Sequence, residues 1–195
     1  MIEQKNSVKQ RIMDAAVQEF LVSGYQHASM RTIAAQAGMT VGNVYLYFSG
    51  KEALFKALLE PVMLEAERLI QYKRGSDRAI TPEVFAEFPK ELCDIFLKHR
   101  HSFLILLDGS AGSPYEHYRE HLRLSARLRI QEALAFLDPD TAANEPLMDA
   151  VTTALIEGLL RIFTQHAQEP EALQPLLRRY LTCVLGVLFP NIPNQ

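Results

Sequence analysis

Apolar residues recur at three- and four-residue spacings along most of this chain, and no window alternates apolar with polar. The first pattern builds one face of a helix, whereas a half-buried strand needs the second. An all-α chain of about nine helices is expected. In the segment from Val8 to Tyr25, Val8, Ile12, Ala15, Ala16, Phe20 and Leu21 share a face and Gly24 provides a stop. A short helix follows, capped by Ser29 and ended by Gly38, then another capped by Thr40. Ser49 with Glu52 has the spacing of a capping box for a longer helix, in which Pro61 predicts a kink or break. Thr81–Pro82 opens the next helix, and a separate short one is expected in 100–112. Ser113 to Glu116 reads as a second capping box starting a helix that reaches about Phe136. Residues 138–144 read as a loop, Asn144 caps a helix to about His166, and Pro170 opens a last one to about Phe189.

With 195 residues, 48% of them hydrophobic, the chain can bury a substantial core. It lacks an apolar amino-terminal run and any stretch of the length a membrane span needs. Cys93 and Cys183 imply no disulfide framework. A cytoplasmic protein without a membrane partner is expected. The net charge of −3 divides unevenly. Residues 1–60 carry six basic and five acidic side chains, and the remainder is acidic overall. Charge alone would not predict nucleic-acid binding.

The pair of short helices around Gly38–Met39–Thr40 is a helix-turn-helix pattern, in which the second helix enters a DNA major groove. Within it stand Ile33–Ala34, Ala37–Gly38, Thr40, Gly42, Tyr45, Tyr47–Phe48, Lys51–Glu52 and Leu54. This series closely resembles the amino-terminal signature of the TetR family of bacterial transcriptional regulators, over residues 8 to about 56. Val44 and Phe48, four apart, are expected to pack inward. Tyr45 and Tyr47 then leave that face on either side, with hydroxyls able to reach phosphate oxygens. Lys51, in the first turn of the following helix, would add charge beside free N–H groups and hold another phosphate. The resemblance implies the same backbone contacts. Val41, Gly42 and Asn43 are the expected base readers: Asn pairs with adenine, Val meets a thymine methyl, and Gly permits close approach. Arg31 and Thr32 are expected to reach a phosphate or an adjacent base.

A DNA-binding domain over residues 1–55 leaves 56–195 for another task. The resemblance implies a helical domain that dimerises and takes a small-molecule effector, whose binding would move the linking helix from about Lys51 to Tyr72. Phe85, Phe88, Phe96, Phe103, Tyr118 and Phe163 are the expected lining of a largely apolar effector pocket. Leu155, Leu159 and Ile162 form one stripe, and Leu177, Leu181 and Val184 another; these are the expected faces of a homodimeric four-helix bundle. His117 and His121 are four apart beside Glu116 and Glu120, a chelating spacing on a helix. Their charged surroundings read as a solvated face, so no metal, cofactor or catalytic residue is expected. The expected function is a repressor that binds a palindromic double-stranded operator and is released by its effector. Its rivals are a binder of the same fold without an effector and a small His/Glu metalloenzyme.

Overall fold

The structure, a computed structural model, describes residues 2–71, 82–135, 138–166, 170–186 and 188, without the side chains of 2–5, 70, 71, 82–89 and 170. Among the described residues there are nine helices and no strand. They are α1 (Ile2–His27), α2 (Met30–Gln36), α3 (Val41–Tyr45), α4 (Lys51–Gln71), α5 (Pro82–Asp108), α6 (Tyr118–Leu134), α7 (Pro139–Ala143), α8 (Glu145–His166) and α9 (Pro170–Gly186). No helix of the described residues is long and apolar enough to cross a membrane. The chain divides into two compact units, though not at residue 55. The first runs through Met63 and adds His101–His117; the second takes Leu64–Arg100 and the chain from Tyr118.

In the first unit, the inward face of α1 buries Ile12, Ala16 and Phe20 completely. Ile33 of α2, Val44 of α3 and Leu54, Phe55, Leu59 and Val62 of α4 are equally buried. Each such Ile, Leu, Val or Phe side chain contributes about 1.5–3 kcal/mol. Phe55 meets Phe20 edge-on with ring centroids 4.8 Å apart, and Tyr25 at 4.7 Å. Gly24 interrupts α1 where a stop is expected: with φ of 64° and ψ of 172° it bends the chain between two helical runs. The bend frees the Tyr25 N–H, which donates to the Gly109 carbonyl at 2.7 Å. Chain from far along the sequence thus closes the unit.

The second unit rests on α6, α8 and α9, with α8 packed against both of the others. Met148 and Phe163 of α8 and Leu177 of α9 are fully buried. The Tyr180 hydroxyl lies over Gly158 and donates to the Ala154 carbonyl. A Cβ at position 158 would collide with that ring, so the close approach requires glycine. Arg119, Arg123 and Arg127 of α6 pair with Glu157, Asp149 and Glu145 of α8.

Several local expectations change. α4 continues through Pro61, an exposed position, without ending there. α5 likewise passes Pro89 and is non-helical instead at His99 (φ −121°, ψ 22°), close to the expected junction of two helices. α4 starts at Lys51, with the Leu54 N–H donating to the Gly50 carbonyl at 3.1 Å. That start puts Ser49 one residue early for the expected capping box. Residues 113–117 form turns: Ser113 Oγ accepts from the Tyr115 N–H at 3.0 Å, and Glu116 reaches back to the Gly112 N–H at 3.0 Å. These bonds satisfy the box residues locally and α6 begins only at Tyr118. The expected loop 138–144 contains α7, because Asp138 accepts from both the N–H and the hydroxyl of Thr141. Thr81 lies outside the described residues.

Candidate nucleic-acid interface

Ser29 is extended, and its Oγ accepts from the Arg31 N–H at 3.2 Å, which starts α2. The Ser29 N–H in turn donates at 3.0 Å to Oε1 of Glu19, a carboxylate buried in α1. α2 buries Ile33 and Ala34, then stops at Ala37. Gly38 follows with φ of +69°, in the left-handed region, and turns the chain. Thr40 accepts from the Asn43 N–H at 3.3 Å and starts α3. Two side-chain caps and one glycine therefore define the turn between the short helices.

α3 has a single inward anchor, Val44, with Phe48 sealing the chain just beyond it. Gly42, Asn43 and Tyr45 are exposed, Val41 and Tyr47 are half-buried, and Arg31 and Thr32 are exposed at the start of α2. A Cβ on Gly42 would meet only Thr40 Oγ1, at 4.0 Å. The fold does not demand glycine there, whereas close approach by an external partner would. A groove of about 860 Å³ runs beside this face, lined by Asn43 of α3, by Tyr47 in the turn that follows and by Val8 and Arg11 of α1.

Lys51 is placed differently from the expectation. Its Nζ donates to the carbonyls of Tyr25 at 2.7 Å, Ala28 at 3.1 Å and Gln26 at 3.2 Å. An ammonium has three donors, and all three are used. The same Nζ lies 4.5 Å from the centroid of the Tyr25 ring. Lys51 caps the end of α1, where bare carbonyls favour a cation, and has no N–H left for a phosphate. Arg11 is a further exposed basic residue beside this groove, and its spacing of three from Val8 puts the two on one helix face.

The remaining expected sites are dispersed. Phe96 and Phe163 are fully buried and stacked, with ring centroids 3.4 Å apart. Phe103 is also buried but belongs to the first unit, with the helix-turn-helix. The side chains of Phe85 and Phe88 lie outside the described residues. Tyr118 is 6% exposed, and its hydroxyl has no hydrogen-bond partner among the described residues. Burial, with the nearby Glu67 carboxylate, pushes its pKa up to about 12. Of the expected dimer contacts, Leu155, Leu159, Leu177 and Leu181 are buried within the chain, because α8 and α9 face one another. Only Ile162 and Val184 keep partial exposure. His117 is 90% exposed in a turn ahead of α6, so it does not share a helix face with His121.

Residues 12–58 match the family described as bacterial regulatory proteins, tetR family. The chain is 37% identical over 62 residues to the fatty acid metabolism regulator protein of Bacillus subtilis, a match covering 32% of each chain. It thus spans about a third of that relative's length. Among solved structures, it resembles a TetR-family transcriptional regulator from Bordetella parapertussis, with a TM-score of 0.69 and 23% identity over 91% of this chain and 94% of that one. It also resembles FadR from Bacillus subtilis in complex with stearoyl-CoA, with a TM-score of 0.56 and 19% identity over 90% and 96% of the two chains. At these identities the structural likeness carries the fold, and the sequence match carries the DNA-binding segment.

Proposed function

We propose that the chain, whose residues 12–58 match the tetR family of bacterial regulatory proteins and which has the fold of such a regulator, is a homodimeric repressor binding a palindromic operator and released by a small molecule. The observation that carries the DNA part is the bareness of α3. Val44 alone is buried, leaving Gly42, Asn43 and Tyr45 for a partner beside Arg31 and Thr32. Asn43 and Val41 read bases, and Tyr45, Tyr47 and Arg31 hold the backbone. Two reading heads related by a twofold axis call for two half-sites. Ile162 and Val184, with Leu147, Val151 and Leu176, are apolar positions of α8 and α9 still open to a second copy.

The effector part is supported by Tyr118. A buried hydroxyl without a partner costs about 1–3 kcal/mol, and an acceptor on a bound molecule would recover it. The effector is then a largely apolar molecule with one hydrogen-bond acceptor. The close stack of Phe96 on Phe163 favours a second reading, a filled interior and no small effector. Selection of binding sites from a random duplex pool tests the first part. A palindromic preference is expected, with Asn43→Ala costing about 1–3 kcal/mol at one base pair of each half-site. Equal affinity for all duplexes would overturn it. Thermal-shift screening of wild type and Tyr118→Phe, followed by operator release, tests the second.

A further inference from the structure

We propose that Arg11, on α1, is a phosphate-binding residue of the DNA interface, taking the role that the position of Lys51 would otherwise assign to that lysine. The inference rests on the DNA-binding reading above and adds a second helix to the surface that holds the duplex.

Arg11 lines the same groove as Gly38, Thr40, Asn43 and Tyr47. Among the described residues no carboxylate lines that groove, and Arg11 is the one cation that does. The nearest acid along α1, Asp14, accepts a hydrogen bond from Gln10 at 2.9 Å. Arg11 is exposed and makes no ion pair among the described residues. The lining therefore combines a free guanidinium with the hydroxyls of Thr40 and Tyr47 and the amide of Asn43. A guanidinium offers paired N–H donors that match two oxygens of one phosphate, and neutral donors beside it suit the same anion. A groove of about 860 Å³ has room for more than a single ion. Because Asn43 lines this groove and also stands on the exposed face of α3, a strand held by Arg11 would flank the bases that Asn43 reads.

The alternative source of the same chemistry is a free inorganic anion. The test uses the full chain, a random-sequence duplex of about 30 base pairs and a titration in KCl. Each phosphate neutralised contributes about −0.9 to the slope of log affinity against log salt. Arg11→Ala should make the slope shallower by about 0.9, and Arg11→Lys should restore most of it, with both melting temperatures unchanged. Lys51→Met should leave the slope as it is. An unchanged slope in Arg11→Ala, with wild type still binding the duplex, overturns the assignment of Arg11 alone. Failure of the wild type to bind any duplex overturns the DNA reading with it. Saturable binding of inorganic phosphate by the free protein, lost in Arg11→Ala while the slope is kept, makes this a small-anion site and also overturns the proposal.

Discussion

The two units spend their polar side chains in different ways. In the first, Ser29, Thr40, Glu19 and Lys51 bond to backbone groups at the ends of helices. In the second, the arginines of α6 bond to carboxylates on α8, and Lys98 bonds to Glu65 at 2.5 Å. The consequence is a difference in what remains free. Lys9, Arg11, Arg31 and Lys56 of the first unit are exposed with no ion-pair partner among the described residues, although Lys9 lies over the Phe48 ring. The cations on the surface of α6 are matched from within. A net charge of −3 therefore conceals a first unit with charge to offer an anionic partner and, in the second, an α6 whose arginines are matched by carboxylates. Local placement of charge, not its total, supports DNA binding here.

The largest expected effect breaks the comparison from the side of the second unit. Phe163→Ala removes a fully buried ring stacked on Phe96 and should cost about 3–5 kcal/mol in urea unfolding. A cost near zero would mean that the ring borders space kept for an effector. The next effect sharpens the first unit. Lys51→Met loses three bonds to carbonyls at the end of α1 and should cost about 1–3 kcal/mol, without changing the salt slope of DNA binding. Normal stability with a shallower slope would return Lys51 to the phosphates.

The smallest effect concerns acid. The hydrogen bond from Lys98 holds the Glu65 carboxyl below its usual 4.5, with His99 adding to it. Arg123 lowers Glu120 and Thr141 lowers Asp138. A carboxyl whose folded pKa is depressed binds protons more readily when unfolded, so its contribution is present above the usual carboxylate range and lost as pH falls through it. The second unit should lose stability progressively below about pH 4.5, and Glu65→Gln should blunt that loss. Unfolding followed by circular dichroism between pH 7 and pH 3 checks this, and the same acid loss in wild type and Glu65→Gln would deny Glu65 the role.

Features with local causes were legible in the sequence. Ser29 and Thr40 cap partners two and three residues ahead, and Gly38 turns the chain where it stands. The partners of Lys51 are 23 to 26 residues away, so its spacing within the motif could not reveal them. The stripes of α8 and α9 are apolar faces, but periodicity does not say what covers a face. Here Leu155 and Leu159 are buried within the one chain, whose α8 packs on both α6 and α9, where a second copy was expected. For α7 the signal was present, an Asp followed by Pro at the first helical position, yet the paired polar residues resembled a loop.

The discontinuity of the first unit has a consequence for how the protein is made. Its apolar face, with Phe20 and Phe55, is completed by chain from His101 to His117, joined at Gly24 and Gly109. On a ribosome, Met63 emerges well before that closing segment, and all of 64–100 must be translated in between. At about 5–20 residues per second the delay is about 2–7 s. Throughout it, an incomplete reading head presents greasy surface to the cell. A gene fragment ending at Met63 would encode the recognition motif and still leave its product in that unfinished condition.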